Sequence, residues 1–189
     1  MPRVESFNVS GGDTAREGWS WRDWVLSCVY GSIMIFQMAF TFFNYNRLGL
    51  DRAANAGWLV LAVSGVFGWM PIYTLRKKGG VTEGRSYVHT TVLVDSGIYA
   101  VVRHPQFFAG ILISLALVLM SQHWLNAVLL APVVAGTYVD SLRADKDLIE
   151  KFGEDYEHYM QRVPGLNPLA GIFRMLRKGE QDHSGDELF

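Results

Sequence analysis

A single cysteine, Cys28, stands in the chain, so no internal disulfide can form and cysteine usage says nothing about compartment. Charge is also scarce: 19% of the 189 residues are Asp, Glu, Lys or Arg, against roughly 25% in a typical soluble domain. The two signs nearly balance, with a formal net charge of −1, which gives no electrostatic reason for a nucleic-acid partner. The five histidines (89, 104, 123, 158 and 183) include no pair at helical ligand spacing. A zinc site needs three or four ligands, so no metal is expected. Gly79-Gly80 and Gly84 lack the frame of a phosphate-binding loop, and no serine or cysteine sits in an activating context. No internal repeat is evident. What the chain does have is apolar surface: 50% of its residues are hydrophobic and 13% aromatic, which excludes intrinsic disorder and leaves room for one domain over 1–189.

The charges are segregated. Trp24 to Asn46 and Ala53 to Leu75 are each 23 residues long without Asp, Glu, Lys or Arg, and Pro105 to Val139 is 35 residues long. About 20 apolar residues span a bilayer core of roughly 30 Å. The first two gaps each fit one helix, while the third, at about 52 Å as a single helix, fits two short ones turning at Ser121-Gln122-His123-Trp124. The expected fold is therefore an all-α integral membrane protein with about four transmembrane helices, near 24–46, 55–75, 106–121 and 124–140. Gly57, Gly65, Gly68 and Pro71, with Pro132 and Gly136, suit helices packed closely in a membrane. The N-terminus, the 76–104 loop and the C-terminal segment hold 3, 5 and 7 Lys/Arg, and the opposite side holds only Arg47 and Arg52. The positive-inside rule then makes both termini and the loop cytoplasmic. A very apolar soluble protein is the alternative.

The transmembrane bundle over 24–140 is flanked by polar pieces. Residues 1–23 form a cytoplasmic leader with no apolar core of a signal peptide before Trp24. Trp19, Trp21 and Trp24 beside Arg16 and Arg22 suit a membrane interface. The 76–104 loop is long for a connection between spans, and such loops tend to be functional. Within 141–177, Leu148, Ile149, Phe152, Tyr156, Tyr159 and Met160 recur at helical spacing. They predict an amphipathic helix along the membrane surface, with Gly153 as a candidate break. Residues 178–189 read as a disordered acidic tail.

Arg103-His104-Pro105 is the segment that invites a chemical reading. An Arg–His pair at a membrane boundary is costly unless an anion engages it. It equally fits an arginine snorkelling at a helix start, a histidine capping a neighbouring carbonyl and a proline in the first turn. Local physics leaves both readings open.

Leu93-Val94-x-x-Gly97-Ile98-Tyr99-x-x-x-Arg103-His104-Pro105-x-Phe107, followed by a hairpin, Asp145-x-x-Leu148-x-x-x-Phe152-Gly153-x-x-Tyr156-x-x-Tyr159 and Val163-Pro164, resembles the isoprenylcysteine carboxyl methyltransferase family and its phospholipid N-methyltransferase relatives. The likeness covers residues 80–170. It implies an integral membrane enzyme that transfers a methyl group from S-adenosylmethionine to a lipophilic acceptor, with Leu93, Val94, Tyr99, His104, Pro105, Gln106 and Phe107 lining a cytoplasmic cofactor pocket. Two departures stand out. The family's tyrosine after the Arg-His-Pro motif is Phe107 here, and the acidic pair that opens the tail helix is Ala144-Asp145, which makes Asp145 the expected cofactor carboxylate. The family's substrate arginine aligns with Asp140, and Arg143 is the nearest basic residue. Arg103, His104 and Arg143 are thus the candidate catalytic residues, and the expected partners are the acceptor and membrane lipids. The expected location is a prokaryotic inner (cell) membrane. Two other readings compete: an NADPH-dependent membrane reductase related to sterol reductases, and a four-helix scaffold without catalysis.

Overall fold

The computed structural model describes residues 21–81, 84, 86–88, 90–174 and 176–177, except the side chains of 22–24 and 26. Residues 1–20 of the expected leader, the expected acidic tail and His89 lie outside the described residues. Five α-helices form, with no strand among the described residues: α1 (Trp21–Phe43), α2 (Asp51–Lys78), α3 (Pro105–Ser121), α4 (Trp124–Phe152) and α5 (Glu154–Arg162). A 3-10 turn over Gly97–Ala100 precedes α3, and residues 168–174 and 176–177 are again helical.

The helix limits follow local chemistry. Asp51 lies in the first turn of α2, and Arg76, Lys77 and Lys78 lie in its last, both favourable to the helix dipole. Pro105 occupies the first turn of α3, where its missing N–H costs nothing. Gln122 closes α3 in the left-handed region, and His123 Nδ1 accepts from Leu125 N at 3.0 Å to cap α4. The predicted hairpin is thus a two-residue turn. Gln122 also bonds across to Asn46 and to both backbone groups of Leu50, which ties this turn to the α1–α2 connection.

The bundle has its polarity inverted relative to a water-soluble core. Ile35, Phe42, Leu59, Trp69 and Trp124 point outward, while Gln37, Thr41, Ser114 and Asn126 are buried and bonded to one another between α1, α3 and α4. α2 and α4 are long and apolar enough to cross a membrane, and Ser27–Phe43 and Pro105–Ser121 are apolar but shorter. Only 17% and 22% of the apolar windows of α2 and α4 are buried, so neither is the enclosed core helix of a globular protein. Small residues set the close contacts. A Cβ on Gly57 would lie 2.6 Å from Met120 Cγ, and one on Gly136 would lie 2.8 Å from the Tyr30 ring.

The segment expected to be amphipathic and helical from Ser141, with Gly153 as a candidate break, is divided at that glycine. Its first part continues α4 without interruption to Phe152, because nothing between Val139 and Phe152 breaks a helix. At Gly153 the chain turns with φ 58° and ψ −136°, a region open to glycine. α5 then folds back so that Tyr156, Tyr159 and Val163 are buried against Leu93, Leu148, Ile149, Phe152 and Met160.

Candidate functional site

The Arg-His-Pro segment is held from behind by the chain that follows α5. Arg103 N donates to Pro164 O at 3.0 Å and His104 N to Gly165 O at 3.1 Å. Tyr159 Oη donates to Tyr99 O at 2.6 Å, and Arg174 Nη2 donates to Ala100 O at 3.1 Å. Gly171 rests on Val101, where a Cβ would come within 1.8 Å of the carbonyl oxygen. Irregular backbone at 97–104 therefore finds its partners far along the chain, in α5 and the segment after it, which meets the requirement that buried peptide groups be paired.

Asp145, on the extension of α4 beyond its apolar stretch, is the electrostatic centre. Its Oδ1 accepts from Arg103 Nη1 at 2.7 Å, His104 Nε2 at 2.7 Å and Tyr156 Oη at 2.6 Å. A carboxylate only accepts, so the imidazole must carry its proton on Nε2. Burial by itself would raise the Asp145 carboxyl. Hydrogen bonds from His104 and Tyr156, with the nearby charges of His104 and Arg103, outweigh it and hold the group below its ordinary value. The Tyr156 phenol is pushed up, first by burial and then by its bond to the carboxylate. Tyr99 and Tyr159 are pushed up by burial, so all three remain neutral hydroxyls.

In front of this cluster lies a cavity of about 310 Å³ between the 88–107 segment, α4 and α5, at the small end of the range for ligand sites. Leu93, Val94, Tyr99, Arg103, His104, Pro105, Gln106 and Phe107 all line it. Asp145 and Arg143 do not. Asp145 is buried next to the wall, its Oδ1 engaged by the lining residues Arg103, His104 and Tyr156, and Arg143 bonds to Asp140 at 3.2 Å. Asp140 also accepts from Tyr30 on α1. Sequence reasoning does not assign Leu148, Phe152, Tyr156, Tyr159 or Asp147 to the site, yet all five line the cavity. Four of them carry the Leu-x-x-x-Phe-Gly-x-x-Tyr-x-x-Tyr signal and can be found from it. Asp147 has no motif to mark it; it follows Ala144, another lining residue, by about one helical turn.

The donor set fits a zwitterionic, partly aromatic ligand. Arg103 and Gln106 offer donors, Asp147 offers a carboxylate, and Tyr99, Phe107, Leu93 and Val94 offer flat and apolar surface. Arg103 Nε is buried and has no partner among the described residues, which leaves hydrogen-bonding capacity on the guanidinium. Among the described residues, no three His, Cys, Asp or Glu side chains gather as metal ligands.

A helical bundle without strands among the described residues, with an apolar exterior and a polar cluster beside a cavity at one end, defines a membrane-type enzyme scaffold. The chain belongs to the phospholipid methyltransferase family, whose sequence profile matches residues 53–153. It is similar to protein-S-isoprenylcysteine O-methyltransferase B of Arabidopsis thaliana, at 29% identity over 51% of this chain and 53% of that protein. It is also similar to the protein-S-isoprenylcysteine O-methyltransferases of Schizosaccharomyces pombe, at 28% identity over 50% and 44% of the two chains, and of Homo sapiens, at 28% over 70% and 56%. The chain thus spans about half the length of the curated relatives it matches. No solved structure gives a significant match.

Proposed function

We propose that the chain is a membrane-embedded methyltransferase that takes S-adenosylmethionine from the cytoplasm and a lipid or other hydrophobic acceptor from the bilayer. The observation that carries this reading is the buried Arg103–His104–Asp145–Tyr156 cluster beside an aromatic-lined cavity, within and next to the stretch that matches the family. The names of the relatives favour methyl transfer over the reductase alternative, and the buried ionic cluster is more than a scaffold needs. A prenylated cysteine carboxylate is one acceptor consistent with those names.

S-adenosylmethionine, when bound, supplies an electrophilic methyl group on a sulfonium. In this reading Arg103 holds its carboxylate, Asp147 meets its ammonium or ribose hydroxyls, and Tyr99 and Phe107 cover its flat or cationic faces. Asp145 acts as a positioning residue: it fixes Arg103 and His104 rather than touching the cofactor. Leu93, Val94, Leu148 and Phe152 exclude water. A thiolate, carboxylate or free amine acceptor needs no dedicated base, so alignment in a dry site supplies most of the rate. Four spans near 24–46, 55–75, 106–121 and 124–140, with the cavity on the cytoplasmic side, complete the proposal. Its support is the outward apolar surface and the 15 basic residues on one side against two on the other.

Calorimetric titration of detergent-purified protein with S-adenosylmethionine and with NADPH tests the reading. Binding of the first alone is expected, followed by label transfer from methyl-labelled cofactor into a lipid extract. Binding of NADPH alone, or of neither, would overturn it.

A further inference from the structure

A second cavity, of about 490 Å³, lies on the far side of the Tyr159–Tyr99 contact, bordered by Asp95, Ala100, Gln161, Arg162 and Arg174. Arg162 of α5 and Arg174 of the segment after it both line this cavity. Arg174 uses Nη2 on Ala100 O, but its Nη1 is buried and has no partner among the described residues. A buried charged donor without an acceptor is expensive. Arg162 is mostly exposed. Its Nε donates to His158 O, and its contact with the exposed Asp95 carboxylate is long, at 3.7 Å, so that ion pair is weak.

The helical segment that carries Arg174 has a second unusual feature. Leu169, Ile172, Phe173 and Leu176 are all exposed, and their spacing places them on one helical stripe. The opposite side is anchored, because Pro168 and Gly171 are buried and Asn167 Oδ1 accepts from Ala170 N at 3.1 Å. An exposed apolar stripe beside two arginines matches the pattern of a helix lying in a membrane interface.

We infer that this cavity is a headgroup site for an anionic phospholipid. The lipid phosphate meets the Arg174 and Arg162 guanidinium groups, and its acyl chains lie along the Leu169–Ile172–Phe173–Leu176 stripe. The two observations point to one occupant: the arginines require an anion, and the stripe requires hydrocarbon. This inference rests on the membrane placement proposed above, but not on methyl transfer.

Native mass spectrometry of the full chain, released from detergent with an equimolar mixture of phosphatidylglycerol and phosphatidylcholine of matched acyl chains, tests it. Preferential retention of phosphatidylglycerol is expected, weakened by at least about tenfold in Arg174→Gln, the low end for a charge-assisted hydrogen bond. Arg162→Gln, an exposed change that spares the fold, should weaken it by a smaller factor, and Arg174→Lys should restore part of it. Equal retention of the two lipids would overturn the inference. So would retention unchanged in both glutamine variants, or displacement of the lipid by excess inorganic phosphate. Cofactor titration of the same sample reports separately on the methyltransferase reading: a protein that keeps the lipid preference but binds no S-adenosylmethionine refutes that reading alone.

Discussion

His104 and Asp145, 41 residues apart, meet at 2.7 Å and fasten the start of α3 to the extension of α4. The same carboxylate oxygen receives Arg103 and Tyr156, so the start of α3 and α5 converge on one acceptor carried by α4. Such a cluster specifies geometry more surely than it adds stability, since burying the charges costs solvation that their attraction must offset.

Asp145→Asn should therefore act on the whole site. It removes the counter-charge of a buried guanidinium, a loss of about 3–5 kcal/mol when one partner of a buried pair is deleted. A large drop in thermal or denaturant midpoint in detergent is expected, together with weaker cofactor binding. A midpoint within experimental error of the parent would mean that the buried pair does not hold α3 to α4.

Acid and alkali should destabilise the fold through different members of the cluster. The Asp145 carboxyl lies below its ordinary value of 3.8 in the folded chain. Its contribution is present above that value and is lost as pH falls through the lower folded one. The Tyr156 phenol is raised above 10.0, so its contribution is present below that value and is lost as pH rises beyond it. Unfolding midpoints measured against pH should fall at both ends. Asp145→Asn should flatten the acid limb and Tyr156→Phe the alkaline one.

Much of this arrangement is legible in the residues. Charge-free runs locate α1 to α4 because apolar length is a one-dimensional property, and the two-residue turn at Gln122-His123 falls within the predicted polar break. The Arg-His-Pro motif names the cavity wall. Pairing across the chain is harder to read. Nothing local says that Asp145 faces Arg103 and His104 while Asp140 faces Tyr30, since both sit on one helix and differ only in height and in rotation about its axis. The division at Gly153 is visible as a glycine, but the return of α5 onto Leu93 depends on tertiary packing.

Membrane placement yields a direct test. Reporter fusions after Asn46 and after Arg177 should report opposite sides, the second cytoplasmic, because the proposed four spans put 15 of the 17 Lys and Arg residues on that side. Both reporters on the same side would be incompatible with four spans.

Gly171→Ala probes the grip of the C-terminal segment on the Arg-His-Pro loop. The added methyl group would fall 1.8 Å from Val101 O, and backbone cannot yield as a flexible side chain does. The helical segment from residue 168 must shift, loosening the Arg174 contact with Ala100. Cofactor affinity should fall although Gly171 does not line the cavity. Gly65→Ala, with nothing within 4 Å, serves as the control and should leave affinity unchanged.

Two carboxylates, Asp145 and Asp147, flank Lys146 in α4. Asp147 lines the cavity and is exposed, whereas Asp145 is buried behind it. If Asp147 meets the ammonium or ribose hydroxyls of S-adenosylmethionine, Asp147→Asn removes a charge-assisted hydrogen bond contributing about 1.5–3 kcal/mol. Affinity should then fall about 10- to 150-fold with the unfolding midpoint unchanged, because an exposed carboxylate contributes little to the fold. Asp145→Asn should lower affinity and midpoint together. Calorimetric titration and thermal unfolding of the two variants therefore give different pairs of results. Unchanged affinity in Asp147→Asn would return the cofactor carboxylate role to Asp145, and Ala144→Glu, which adds an acid on the cavity lining, would then be expected to tighten binding.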